Sequence, residues 1–434
     1  MKHAVLVTAT ARLWPRLGGL ARAWRGLAPP CRLFAWRGFV ALIDDFASGS
    51  ITRRWQTLGV LEWIKVRWAE PTQRRRRAAL LLLVLGLAQN KLASANPPAL
   101  EALPPPAQIQ PALAELGRHL FFEPRLSGDG SRSCASCHVP ELGFADGLAL
   151  ARGYNGTEYF RNAPSLLSVR LKRRLTWDGR LDGGDLATAV RDMVTEAHFM
   201  NADARLIQER VRQIPGLMVL WRKALGPSSE PYGPQIFNAI AEYLKTLDAP
   251  DTALDRHLRG EPVRLPPMVQ EGLALFHGKA ACNRCHSGPL GSDGKAHRLG
   301  LSEHPAVLAE PLRSISLLRH HATMGVPNYM HERKDLGAYV LSKSELDRGR
   351  FHTPSLRMLV HTGPYMHNGL LATLEEVVAF YDAGGGPGGD LAPLHLSARE
   401  RAALLALLRA WSAPLPLVAA PPAYDYAVLP AGQR

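Results

Sequence analysis

Apolar residues recur at three- and four-residue spacing in several segments of the chain, which predicts amphipathic helices that pack one face on a core. Almost nothing alternates with the period of two that a half-buried strand requires. The pattern therefore predicts an all-α fold. The helices that it predicts most clearly cover residues 112–122, 203–214, 237–247 and 268–277.

Two later helices are predicted by their N-terminal residues. Thr373 and Glu376 form a capping-box pattern ahead of a helix over 374–382, and Ser397 and Glu400 form another for a helix that runs to about Trp411. Long glycine-rich connections lie at 283–300 and 384–393. Long loops beside short helices indicate that something other than a continuous side-chain core organises the fold.

The charge of the chain is concentrated at its N-terminal end. The 434 residues carry a net charge of +14, but residues 1–77 hold 15 Lys/Arg against 4 Asp/Glu, which is +11 and leaves +3 for the rest. The apolar fraction of 46% and the charged fraction of 21% are typical of a globular protein. The folded part is therefore nearly neutral, and we expect no nucleic-acid partner.

The N-terminal segment has the pattern of a secretory signal. Four arginines at 74–77 precede an apolar run over 78–88, and Ala93, Ser94 and Ala95 form a small-x-small cleavage pattern. We interpret 74–95 as a signal peptide and 1–73 as an upstream extension from a start codon assigned too early. A membrane anchor is the alternative, but the run is short for a bilayer. The sequence thus predicts a periplasmic protein without stable membrane insertion.

Four of the five cysteines point to covalent haem. Cys31 lies in the N-terminal extension, and the others occur in two C-x-x-C-H motifs: Cys134, Cys137 and His138, then Cys282, Cys285 and His286. Two thiols on one turn can bond the vinyl groups of a haem, and the next residue can then place an imidazole on the iron. A Cys₄ zinc site, two dithiol redox motifs and two disulfides are alternatives, but none of them explains a histidine after both pairs. The sequence predicts two covalently bound c-type haems.

The residues around these motifs resemble a known family. The segments are LGRHLFFEPRLSGDGSRSCASCH from Leu116, RNAP from Arg161, WDGR from Trp177, and 347–386. Together they closely resemble the bacterial di-haem cytochrome c peroxidase and MauG family, over about residues 105–390. The resemblance implies two cytochrome c-like haem domains, an N-terminal peroxide-reacting domain over 96–258 and a C-terminal electron-relay domain over 259–434.

The resemblance also implies roles for single residues. His138 and His286 would be the proximal iron ligands, and Tyr381 would be the sixth ligand of the C-terminal iron, where the peroxidases have Met and MauG has Tyr. Trp177 aligns with a tryptophan that relays electrons between the haems. A core role is the alternative for Tyr381 and for Trp177. Tyr154 stands where many peroxidases have a distal histidine, so the iron held by His138 is expected to be open to peroxide.

Two further roles rest on the resemblance alone. Calcium is expected between the lobes, bound by the side chain of Asn162 and by Thr362 and Pro364. The family also has a proton-transferring Glu before a Met, but here Phe199 takes that position. Glu196 and His198 are the candidates for the acid/base role, and a solvated helix face is the alternative.

Three functional classes follow from these expectations. The first is a MauG-like enzyme that uses hydrogen peroxide to oxidise a partner protein, which Tyr381 favours. The second is a cytochrome c peroxidase that reduces peroxide with electrons from a small cytochrome or cupredoxin. The third is a non-catalytic di-haem electron carrier, for which an open iron would have no use.

Overall fold

Prolines and N-terminal capping side chains begin most helices of the computed structural model, which describes residues 99–427. A proline at the first helical position lacks only an N–H that would have no helical partner. Within the described part, the helices are α1 (Pro111–Phe121), α2 (Leu186–Thr195), α3 (Ala204–Arg212), α4 (Pro215–Leu225), α5 (Gly233–Leu244), α6 (Ala253–Leu258), α7 (Pro267–His277), α8 (Pro305–Ala309), α9 (Pro311–Thr323), α10 (Tyr339–Ser342), α11 (Leu374–Asp382) and α12 (Ala398–Ala410).

The helices predicted from the apolar spacing are present, with small shifts at their ends. The helix predicted over 237–247 begins earlier, at Gly233, and ends at Leu244. Both capping boxes are formed: the Thr373 hydroxyl accepts the Glu376 N–H at 3.1 Å and the Ser397 hydroxyl accepts the Glu400 N–H at 3.2 Å. The prediction of a mainly helical fold is confirmed.

Helix α9 was not predicted, because four of the five residues that it buries are polar or charged. Arg313, Ser316 and His320 are buried, whereas Leu312 and Ile315 on the same helix are exposed. A search for apolar residues on an inward face therefore fails for this segment. His320 on this face lies 3.4 Å from a carboxylate oxygen of Asp178, the residue after Trp177.

Two short antiparallel ribbons supplement the helices. Strand β1 (Arg174–Leu175) pairs with β2 (Leu181–Asp182), and β3 (Ala296–His297) pairs with β4 (Phe351–His352). Each strand has two residues, too few to give a period-two signal in the sequence. The β1–β2 turn carries Trp177.

Two pairs of helices cross at a glycine. Helix α1 crosses α5 at Gly117, where a Cβ atom would lie 1.8 Å from the Ala239 carbonyl oxygen. Helix α7 crosses α12 at Gly272, where a Cβ atom would lie 2.1 Å from the Ala403 carbonyl oxygen. Only glycine allows the two backbones to approach so closely. The same device is thus used once in each half of the described chain.

The interior is built around two large hydrophobic clusters. The first includes Phe121 and Trp221 and is formed mainly by residues 113–249; the second includes Phe276 and Trp411 and is formed mainly by residues 254–411. The described residues all fall in one compact unit. The division into haem domains at 258/259 therefore stays a prediction.

Each cluster also receives residues from the distant end of the chain. Leu100 is buried in the second cluster, where Glu101 N–H donates to the Gly288 carbonyl at 3.2 Å. In return, the C-terminal segment packs on the first cluster, and Tyr424 stacks on His119 with ring centroids 5.2 Å apart. The first described segment thus packs on the cluster formed mainly by later residues, and the last described segment packs on the cluster formed mainly by earlier residues.

The predicted extension over 1–73, the predicted signal peptide over 74–95 and Cys31 lie outside the described residues. Among residues 99–427, no helix has both the length and the apolar character needed to cross a bilayer.

Candidate haem and electron-transfer site

Each C-x-x-C-H motif folds into a single 3₁₀ turn. The backbone N–H of His138 donates to the Cys134 carbonyl at 2.9 Å, and the N–H of His286 donates to the Cys282 carbonyl at the same distance. The turn therefore brings both thiols and the imidazole of a motif together. The four cysteines of the described part are all free thiols: Cys134, Cys137, Cys282 and Cys285.

The two histidine rings are held by the nitrogen that an iron would not use. His138 Nδ1 lies 3.0 Å from the Phe144 carbonyl oxygen, and His286 Nδ1 lies 2.8 Å from that of Gly291. Donation from Nδ1 leaves Nε2 with its lone pair, the arrangement typical of metal-binding histidines. Burial lowers the pKa of both imidazoles, that of His138 to about 4, so both are neutral near pH 7.

Both histidines line one cavity of about 610 Å³. Among the described residues, its wall carries one carboxylate, Asp293, and eight cationic side chains: Arg132, Arg152, Arg161, Lys172, Arg173, Arg174, Arg180 and Arg357. Four of the cations are paired with carboxylates outside the wall: Arg152 with Glu158, Arg161 and Arg180 with Asp178, and Arg357 with Asp255. Haem propionates are anionic, so the other four cations complement them. The thiols, the free imidazole nitrogens and the charge of the wall together fit haem.

Trp177 lines the same cavity as His138 and His286. Its indole Nε1–H donates to the Asn162 carbonyl at 2.9 Å, and its own carbonyl accepts the His352 N–H at 2.9 Å. The β1–β2 turn and strand β4 therefore fix the ring between the two halves of the chain. The relay role of Trp177 stays a prediction.

Tyr381 reaches the cavity from the last turn of α11. Burial raises the pKa of its phenol, and the nearby thiols of Cys282 and Cys285 add to the increase. The side chain therefore lies near the second C-x-x-C-H motif. A ferric ion would reverse this shift, because a metal cation favours the deprotonated form of its ligand.

Related proteins identify the family. The sequence model described as "Di-haem cytochrome c peroxidase" matches residues 111–262. The cytochrome-c peroxidase IdrP2 of Denitromonas iodatirespirans is 48% identical over 354 residues, which cover 81% of this chain and 96% of that protein. The chain belongs to the di-haem cytochrome c peroxidase family. It is therefore a peroxidase-type oxidoreductase, and membership of a di-haem family implies two c-type haems.

Other members of the family are also similar to this chain. The methylamine utilization protein MauG of Methylorubrum extorquens is 34% identical over 317 residues, which cover 71% of this chain and 81% of MauG. The crystal structure of a MauG-like protein associated with microbial copper homeostasis superimposes with a TM-score of 0.60 at 28% identity, covering 74% of this chain and 96% of that one. The family predicted from the sequence is confirmed.

The residues considered for proton transfer are not in the haem cavity of this family member. Phe199 lines the cavity, whereas Glu196 lines a separate cavity of about 300 Å³. His198 is buried against Tyr159, with ring centroids 5.9 Å apart. Tyr154 packs against Gly128 and is not part of the cavity wall. The acid/base role of Glu196 or His198 stays a prediction.

The three residues predicted for calcium belong to the wall of the same cavity. Asn162, Thr362 and Pro364 all line it. The Asn162 Nδ2 donates to the Leu148 carbonyl at 2.7 Å, so the Oδ1 oxygen is the atom that a cation would use. Calcium binding also stays a prediction.

Sequence reasoning missed the cationic residues of the cavity. Lys172 is the clearest case: its Nζ donates to the Ser165 carbonyl at 2.6 Å, and burial lowers its pKa to about 8. The run Lys172, Arg173 and Arg174 is a signal that could have been used, because basic residues near haem-binding motifs suit propionates.

Proposed function

We propose that the protein is a periplasmic di-haem peroxidase that reduces hydrogen peroxide at the haem held by His138. Electrons from a small cytochrome or cupredoxin would enter through the haem held by His286. The observation that carries the proposal is the single cavity lined by both histidines and by Trp177. The 48% identity to a cytochrome-c peroxidase supports this reaction ahead of others.

The chain's own residues would hold, orient and connect the two haems. When bound, the haems supply the iron that reacts with peroxide and the iron that stores electrons. His138 and His286 would hold the irons through Nε2, because backbone carbonyls fix their Nδ1 atoms and so orient the rings. Trp177 provides an aromatic step between the two sites, and calcium at Asn162, Thr362 and Pro364 would brace the loops beside it.

A second candidate function is the oxidation of a partner protein, as in MauG. Tyr381 favours it, because a phenolate is a hard anionic ligand that stabilises oxidised iron, whereas the thioether of Met favours Fe(II). The position of Tyr381 in the cavity near Cys282 and Cys285 supports the ligand role.

Replacing Tyr381 separates the two candidates. We expect Tyr381→Phe to remove one low-spin component from the spectrum of the resting protein, and Tyr381→Met to raise the reduction potential of that haem while peroxide turnover with reduced cytochrome c continues. Tyr365→Phe is the matched control, since Tyr365 also lines the cavity but donates to the Leu359 carbonyl. Unchanged haem spectra and reduction potentials in Tyr381→Phe would show that Tyr381 is a core residue and not an iron ligand.

Measurement of peroxide turnover distinguishes peroxide reduction from oxidation of a partner protein. The proposal expects reduced cytochrome c to be oxidised by peroxide, and expects Trp177→Phe to retain both haems but lose most of the turnover. Absence of turnover with small cytochromes and cupredoxins, together with a long-lived oxidised state that a purified partner protein quenches, would favour protein oxidation instead.

Haem loading tests the compartment. Covalent attachment occurs outside the cytoplasm, so a protein lacking residues 74–95 should accumulate without haem. A fully loaded protein from that variant would contradict the proposed secretion.

A further inference from the structure

A buried group of charged residues lies next to Trp177. Arg161 is 2% exposed, and its Nε and Nη2 atoms donate to the two carboxylate oxygens of Asp335 at 2.5 and 2.7 Å. Its Nη1 donates to Asp178 Oδ2 at 2.6 Å. One guanidinium therefore joins two buried carboxylates, one from each half of the chain. We call Arg161, Asp178, Asp335 and Arg180 the Arg161 cluster.

The cluster is attached to Trp177 at two points. Asp178 follows Trp177 directly in the chain, and the carbonyl that accepts the indole N–H belongs to Asn162, which follows Arg161. Arg180 Nη1 lies 3.2 Å from Asp178 Oδ2. The two arginines balance the two aspartates, so any further charge near the cluster changes the electrostatic potential at the indole.

Glu303 is the group that can add such a charge. Its Oε2 accepts the Asp335 N–H at 2.8 Å, and its Oε1 is buried without a hydrogen-bond partner among the described residues. Burial, and then the negative charge of Asp335, raise the pKa of Glu303 to about 7, although Arg161 and the His304 N–H act in the opposite direction. The carboxyl therefore changes from mainly neutral to mainly ionised as the pH rises through neutrality.

The other titratable groups that face the cluster have pKa values shifted by burial in the direction that keeps them neutral. Burial raises the pKa of Tyr159, which faces both aspartates and both arginines of the cluster, and lowers that of His352, which faces Asp178. His320 faces Asp178, and burial lowers its pKa to about 4. His367 faces Asp335 and Arg161, and burial likewise lowers its pKa to about 4. Burial also lowers the pKa of His321, which faces Asp335, Arg161, Glu332 and Arg348. Among the groups that face the Arg161 cluster, Glu303 is thus the one that changes charge near neutral pH. Lys172, whose pKa burial lowers to about 8, also titrates in this range, but its Nζ is held at the Ser165 carbonyl and acts on His138 rather than on the cluster.

We propose that Glu303 is a positioning residue that controls electron transfer through Trp177 by adding a negative charge behind the Arg161 cluster. The proposal rests on the relay role of Trp177 in the proposed function. In that relay, the indole gives one electron towards the site of peroxide reduction and receives one from the His286 side. No covalent bond is made or broken. The indole keeps its proton, because the Asn162 carbonyl accepts a hydrogen bond from the indole N–H but is too weak a base to take the proton.

The charge of Glu303 determines whether its ionisation speeds or slows electron transfer through Trp177. The oxidised indole is a cation, and ionised Glu303 stabilises it, whereas protonated Glu303 does not. Transfer between the haem sites should therefore become faster as the pH rises through the titration of Glu303. A unit charge in a buried site changes such an equilibrium on the order of tenfold.

The experiment measures electron redistribution between the two sites of the holoenzyme after one equivalent of peroxide, by stopped-flow absorbance from pH 5.5 to 8.5. The wild type should show a sigmoidal increase of about tenfold centred near pH 7. Glu303→Gln should remain at the slow, low-pH rate, with unchanged resting haem spectra. Glu345→Gln, at an exposed carboxylate, should follow the wild type.

Infrared difference spectra between pH 6 and 8 provide a readout without turnover. The wild type should lose a carboxylic C=O band at the higher pH, and Glu303→Gln should lack this change. A wild-type rate that does not depend on pH, or a Glu303→Gln variant that keeps the wild-type profile, would overturn the inference. Trp177→Phe distinguishes the two proposals: if that variant transfers electrons as fast as the wild type, the relay itself is refuted.

Discussion

The buried ion pair between Asp255 and Arg357 allows a stability prediction with a defined magnitude. The side chains are 0% and 1% exposed, and Arg357 donates to the two Asp255 oxygens at 2.7 and 3.0 Å. Arg357 also donates to the Pro289 carbonyl at 2.5 Å and lies 4.7 Å from the Trp411 ring centroid. One side chain therefore joins α6, the loop after the second haem motif and the end of α12.

Asp255→Asn leaves the guanidinium buried without a counter-charge. Removing one partner of a buried pair costs about 3–5 kcal/mol, because the remaining charge has lost its compensation but not its desolvation penalty. The asparagine can still bond the Thr252 hydroxyl, which now bonds Asp255 Oδ2 at 2.7 Å, so the lower end of that range, ~3 kcal/mol, is expected. Adding Arg357→Met should recover part of the loss, because no unpaired charge then remains.

Guanidinium unfolding of the haem-loaded protein, followed by far-UV circular dichroism, measures these losses. Arg399→Gln is the control: it breaks an ion pair with Glu271 in which the arginine is 70% exposed, and it should cost under ~1 kcal/mol. A loss of unfolding free energy below ~1 kcal/mol for Asp255→Asn would refute the reasoning. A loss in the double variant that exceeds the sum of the losses in the two single variants would also refute it.

Three further predictions concern haem content, packing and pH. Cys134→Ala and Cys282→Ala should each yield protein with one haem, and pyridine haemochrome analysis showing two would contradict this. Gly272→Ala should cost at least ~1–3 kcal/mol in thermal unfolding, because its Cβ would lie 2.1 Å from the Ala403 oxygen; an unchanged melting temperature would argue against the close crossing. The raised pKa of Glu303, about 7 against 4.5, contributes stability that is fully present below pH 4.5 and is lost as the pH rises to 7. Glu303→Gln should therefore flatten the decline in unfolding free energy over that window, by up to ~3 kcal/mol; an identical decline in both proteins would refute it.

Local chemistry explains what could be predicted from the sequence. The haem motifs need only one turn of chain, so the spacing of Cys134, Cys137 and His138 already implies their proximity. The helix beginning at Leu374 was predicted correctly because Thr373 and Glu376 bond each other's backbone N–H groups. Such signals depend on residues within four positions of each other.

What could not be predicted depends on contacts between distant segments. Helix α9 buries Arg313 against the Tyr159 carbonyl and His320 against Asp178, so its polar face turns inward for reasons that its own sequence does not contain. Glu303 and Asp335 are far from Arg161 in the chain, and burial alone makes their charges important. The roles of Trp177 and Tyr381 are predictions from family resemblance rather than from any local pattern.

The exchange of chain ends between the two clusters constrains how this protein can be synthesised and divided. Leu100 completes the cluster built mostly from later residues, and the segment around Tyr424 completes the one built mostly from earlier residues. During synthesis, the earlier cluster cannot be completed until the segment around Tyr424 has been made. A fragment cut at residue 258 would expose apolar surface on both products, so each should be prone to aggregation and to proteolysis.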